Sequence, residues 1–156
     1  MPNKPTAADA ELILKLYDLR REAEMRKARS WWFADFWPES ADDLMKLAMN
    51  PKAQENHWMR QVVGYWEMAA MLVVHGTLNE SMFLELSFSG EMFFAFAKVK
   101  PFLSDMREKM KNPEFLGNVE KVITRSKLGR DRLQWFENRV AARRKMMQEQ
   151  AAKASS

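Results

Sequence analysis

The sequence predicts an all-α fold, a single-domain antiparallel helical bundle of about five to six helices. Three observations carry that reading. Gly (5) and Pro (6) are scarce in 156 residues, whereas strand-rich folds need turn residues far more often. Apolar residues recur at steps of three and four over long stretches, the period of a helix face. The breakers fall between those stretches, at Pro38, Asn50-Pro51, Gly76, Pro101 and Asn112-Pro113.

Each element follows in order. Residues 1–6 hold two Pro and no period, so a disordered start is expected. Thr6 or Asp9 can cap a first helix over roughly 7–36. Its stripe of Leu12, Leu16, Leu19 and Ala23 slips to Met25, Ala28, Trp32 and Phe36, and Pro38 ends it. Ser40 followed by Asp42 and Asp43 starts a short second helix, because the acids face its positive end. Asn50-Pro51 opens a third, with Trp58, Val62, Tyr65, Ala69 and Leu72 on one stripe and Gly76 closing it. Thr77 and Glu80 have capping-box spacing for a fourth. That helix is nearly apolar on all sides through Met92–Ala97, so it should be the most buried, and Pro101 must kink or split it. Asn112-Pro113-Glu114 reads as the cap and first turn of a fifth, with Phe115, Val119, Val122 and Ile123 inward. Gly129 marks an end or a break before a last helix carrying Leu133, Phe136 and Val140. The bundle domain is thus expected over 7–142, with 143–156 a frayed polar tail.

Composition excludes several chemistries. There is no Cys, which removes disulfides, Cys-ligated zinc, iron–sulfur clusters and thiol catalysis. Di-iron bundles need paired Glu-x-x-His motifs, but Gln54 precedes His57 and Leu72 precedes His75. No nucleophile elbow, Walker loop or dinucleotide fingerprint is present. No metal or cofactor is therefore expected, and no enzyme. No signal peptide or membrane-spanning run is expected either, since the longest apolar stretch, Val62–Val74, is short and holds Glu67. The cysteine-free composition fits a cytoplasmic protein, at most peripheral to the inner membrane. Net charge is +4 but uneven: residues 101–156 carry 13 Lys/Arg against 7 Asp/Glu, and residues 1–100 carry 12 against 14.

Two groups of residues draw functional readings. The first is Arg20, Arg21, Arg26 and Arg29 followed by Trp31, Trp32, Phe33, Phe36 and Trp37. One helix cannot hide five such aromatics on a narrow stripe, since successive residues are about 100° apart. Core packing together with contact between chains is the favoured reading. A peripheral membrane or anionic surface is the alternative, and nucleic acid is disfavoured because acids interrupt the basic run. The second group is Glu67 in the apolar company of Tyr65 and Trp66. A carboxylate there needs a partner, and the first-helix arginines can supply one. Glu91 invites the same argument. The functional alternative is a small-molecule pocket between helices three and four, lined by Trp66, Glu67 and Phe94.

Residues 62–123 carry the order Tyr65-Trp66-Glu67-Met-Ala-Ala-Met-Leu-Val, Gly76-x-Leu78-Asn79-Glu80, Phe83, Phe96, Pro101-Phe-Leu-x-x-Met-Arg107 and Asn112-Pro113-Glu114-Phe115. This segment resembles an uncharacterised family of small bacterial helical proteins, a domain of unknown function. The resemblance implies an all-α fold and brings no activity and no functional residue. Similar members often carry an N-terminal membrane helix, where this chain has an amphipathic, charged one. The expectation is a non-catalytic protein that works through protein–protein contact, its partner another protein or itself as a homodimer, with Trp31–Trp37 and the second helix as the contact region.

Overall fold

The structure is a computed structural model that describes residues 3–156. Among these the chain is all-helical, with no strand. Of the loose start expected at 1–6, only residues 3–6 are described, and they precede the first helix without regular structure.

Helix α1 (Ala7–Arg20) starts on Thr6, whose hydroxyl accepts from Asp9 N while the Asp9 carboxylate accepts from Thr6 N. The long first helix expected over 7–36 is two. At the slip of the apolar stripe, Glu22 takes the Met25 amide at 2.9 Å and so begins α2 (Ala23–Ala34). Ser40 caps α3 (Ala41–Ala48) as its side chain predicts. Asn50-Pro51 forms a turn rather than a helix start, and α4 (Gln54–Val74) begins three residues after Pro51. Gly76 closes α4 with φ +74°, a conformation that costs glycine nothing. The next cap is Asn79 rather than Thr77: its side chain takes the Met82 amide and opens α5 (Glu80–Phe83). A break at Leu84–Glu85 then starts α6 (Leu86–Val99). Pro101 sits in a 3₁₀ turn (Lys100–Phe102) that leads into α7 (Leu103–Lys109).

The Asn112-Pro113 expectation also shifts. Asn112 spends its side-chain oxygen on the Glu114 amide, a local turn, so α8 begins only at Gly117 and runs to Thr124. The residue before it, Leu116, is left-handed at φ 56°. Ser126 caps α9, which runs without interruption from Lys127 to Ala154, so the end expected to fray continues as helix, mostly exposed beyond Val140, its last buried residue. Gly129 is fixed by the tightness of the α8–α9 corner, where an added Cβ would stand 2.1 Å from the Ile123 carbonyl oxygen.

The contacts set the helix directions. Along α2 and α4, Met25 lies with Tyr65 at one end and Trp31 with Trp58 at the other, so this pair is antiparallel. The α6–α9 pair departs from the antiparallel expectation: Phe93 stacks on Phe136, and further on the Lys98 carbonyl meets Arg144, so both helices advance together. The physical reason is the extra element between them, because α7 and α8 use up the return path. One core runs through these helices, and α6 carries its densest part, with Met92, Phe93, Phe96 and Ala97 all buried.

Candidate functional site

The aromatic stretch of α2 and the loop after it is intrachain core. Trp32 and Phe36 are buried and Trp31 is half-buried, stacked on Phe36 at 4.6 Å and tilted against Trp58. Phe33 stacks on Phe94 at 4.8 Å, and Trp37 meets Phe94 edge-on. Much of the aromatic surplus expected at a contact between chains is thus taken up within the chain, while Trp31, Phe33 and Trp37 keep part of their surface exposed. The face that a single helix could not hide is covered by α4 on one side and α6 on the other.

The cations before it separate. Arg21 and Arg26 are exposed. Arg20 is 4% exposed and Arg29 is turned inward; both converge on Glu91 of α6. Arg29 Nε donates to both Glu91 oxygens at 2.9 Å and its Nη1 to the Arg20 carbonyl at 3.2 Å. Arg20 lies 3.5 Å from Glu91, donates to the Phe88 carbonyl at 2.9 Å, and sits over the rings of Phe88, Tyr17 and Trp66. Hydrogen bonding to Glu91 holds the Arg29 guanidinium above its ordinary range. Tyr65 closes this centre, its hydroxyl donating to the Leu16 carbonyl at 2.5 Å. Burial pushes that phenol up to about 12. An anionic-surface reading that used all four arginines loses two of them here.

Glu67 does not pair with an arginine. Its two oxygens accept the Asn118 amide at 2.8 Å and the Val119 amide at 3.2 Å, the second and third residues of α8. Leu116, at the cap position, has no side-chain acceptor to offer. A carboxylate from α4, 51 residues away, therefore supplies the cap. Glu91 is the acid that took the role expected of Glu67.

Trp66, Glu67 and Phe94, expected to line one pocket, do not share a lining: Trp66 borders a small void that neither Glu67 nor Phe94 reaches. That void is lined by Trp32, Val62, Trp66, Met92, Phe96 and Val119 among others, and holds about 10 Å³, room for one water. Among the described residues no cluster of His, Asp or Glu could hold a metal ion, and no helix is long and apolar enough to cross a membrane. Both histidines are exposed.

Two features escape the sequence reading. Lys98 of α6 is completely buried, its amine donating to the Trp32 carbonyl near the C-terminal end of α2 and lying 4.0 Å from the centre of the Trp37 ring. No carboxylate pairs with it among the described residues. Burial pushes it down to about 7, with the nearby Arg144 guanidinium adding to the shift and Asp35 opposing it. Arg144 clamps the same corner, donating to the Pro38 carbonyl at 2.7 Å and the Lys98 carbonyl at 3.1 Å. A lone Lys between Ala97 and Val99 was the available signal. The second feature is apolar surface on α1 and α4: Leu14 is 67%, Leu19 54%, Tyr17 49%, Met68 44% and Met71 38% exposed. An open groove of about 540 Å³ runs between Leu19, Met25, Tyr65 and Met68, with Glu22, His57 and Arg60 at its rim.

Among curated proteins and among solved structures nothing matches the chain. A family model does, over residues 5–126, and so reaches further on both sides than the 62–123 segment in which the resemblance was legible. With well over half its length matched, the chain belongs to the family described as Domain of unknown function (DUF4760).

Proposed function

We propose that the protein is non-catalytic and acts through protein–protein contact on the face formed by α1 and α4. One observation carries this: the exposed side chains of Leu19 and Met68 line an open apolar groove with Met25 and Tyr65, and Glu22, His57 and Arg60 line it as well. Scattered apolar residues need no explanation, but a contiguous group rimmed by charge marks an interaction site. Methionines at its edge suit a surface that must adapt to its partner. The groove runs along α4 beside the end of α1 and the start of α2, which is antiparallel to α4, and this fits an amphipathic helix laid along it. The working unit in this reading is the helical bundle over 7–142, and its setting is the cytoplasm.

The test uses a photo-crosslinking amino acid placed at Met68 and, as a control, at exposed Lys52. Covalent protein adducts in cells at position 68, absent at 52 and lost in a Leu19→Glu variant, are expected. Equal yields at the two positions would overturn the reading. Leu19 is exposed, so its replacement leaves the fold intact.

A further inference from the structure

A second surface, on α9, is complementary to itself. Leu128, Trp135 and Met146 are each about half exposed, at 47%, 50% and 50%. Steps of 7 and 18 residues put them on one side of a helix. Arg139 lies over the Trp135 ring, 4.6 Å from its centre, on the same side. We propose that this face pairs with α9 of a second copy of the chain, antiparallel and centred on Trp135.

The register follows from the sequence. In an antiparallel pair centred on residue 135, Trp135 meets its own copy and Leu128 meets the small Ala142, large against small. Asp131 meets Arg139. All of these lie within about 60° of the Trp135 direction, close enough to face the second helix. Asp131 and Arg139 are exposed, and Asp131 is held in its own chain only by a solvent-facing bond to Lys127. A parallel pair has the opposite result: Arg139 faces Arg139 and Asp131 faces Asp131. Like charges in contact select against that orientation. Trp and Arg are also the residues that dominate such contacts.

The pairing further accounts for the far end of α9. Residues 145–154 have no hydrogen bond or ion pair to any other helix of their own chain among the described residues. In the antiparallel register they pass the start of the other α9 and run on along the second copy. This inference uses a different face from the α1–α4 groove, so either can fail alone.

Light scattering on size-separated samples tests it with a charge exchange. The parent chain is expected to be a dimer. Arg139→Asp should place two acids opposite each other and weaken the dimer by roughly tenfold or more. Asp131→Arg combined with Arg139→Asp restores opposite charges in the antiparallel register alone, so the double variant should recover the parent's dimer. Both positions are exposed, and circular dichroism checks that the variants fold. A parent that stays monomeric at its highest soluble concentration overturns the proposal. So does a dimer indifferent to Arg139→Asp, or one that the double variant fails to restore. None of these results bears on adducts at Met68.

Discussion

The molecule buries cationic groups in two places and treats them differently. At the α1–α2–α6 junction, Arg20 and Arg29 enter with a carboxylate: Glu91 takes both, and backbone carbonyls absorb some of the remaining donors. At the α2–α6–α9 corner, Lys98 enters without one, and only the Trp32 carbonyl and aromatic faces receive its amine. A guanidinium cannot shed its proton in a protein and must be paired. An ammonium can, and burial drives it to. The choice of Arg or Lys at each site therefore decides whether the site is an ion pair or a titrating amine.

The widest gap between the two sites should open when Glu91 is removed. Glu91→Leu leaves Arg20 and Arg29 charged and facing each other in the interior. Breaking a buried pair from one side costs about 3 kcal/mol, with Arg29's partial exposure keeping the loss near the low end of the range. Urea unfolding should show it as a lowered midpoint at constant slope. A midpoint within error of the parent would mean the arginines are solvated and the contrast is empty.

Lys98 should behave in the opposite sense, because its partner is the solvent proton. Its folded-state value of about 7 lies below the ordinary 10.5. Between those values the unfolded chain binds the extra proton, so stability rises with pH through that window and is lowest below it. Lys98→Met keeps the chain length and removes the titration. The variant should be more stable than the parent at pH 6, by on the order of 1–2 kcal/mol after the lost bond to Trp32 is counted. Its advantage should shrink steadily toward pH 10. Parallel stability curves for the two proteins across this window would show that Lys98 is solvated in the folded state.

Much of the fold was legible because its signals are local. Thr6, Ser40 and Gly76 act where their side chains, or the lack of one, predict. The breaks at Glu22 and Leu84–Glu85 were harder, since Glu is also a good helix former and caps only when the chain turns. Asn112 had two local uses for one side chain, and the turn won. The site was legible as chemistry and not as pairing. The first-helix arginines do meet a carboxylate, but it is Glu91 and not the Glu67 first expected. Which acid does so depends on α6 running alongside α2, with Glu91 reaching Arg29 and Lys98 reaching Trp32, a relation that sequence spacing does not contain. Lys98 looked like one cation in an apolar run until its burial was known.

Glu67 gives a third answer to the same problem and the smallest expected effect. It is a half-buried carboxylate with no cation, held by two amides of α8. Each helix start leaves amides that its own turns cannot satisfy, and their partial positive charge stands in for a counter-ion. Glu67→Gln keeps one oxygen acceptor, loses the charge, and turns an amide donor toward N–H groups that are also donors. The cost should be about 1 kcal/mol. It should also be local: hydrogen exchange at Asn118 and Val119 should accelerate, whereas amides beside Glu91 keep their protection. Uniform acceleration across the chain would mean that Glu67 supports the whole core through α4, and unchanged exchange at both amides would mean that α8 is capped by water instead.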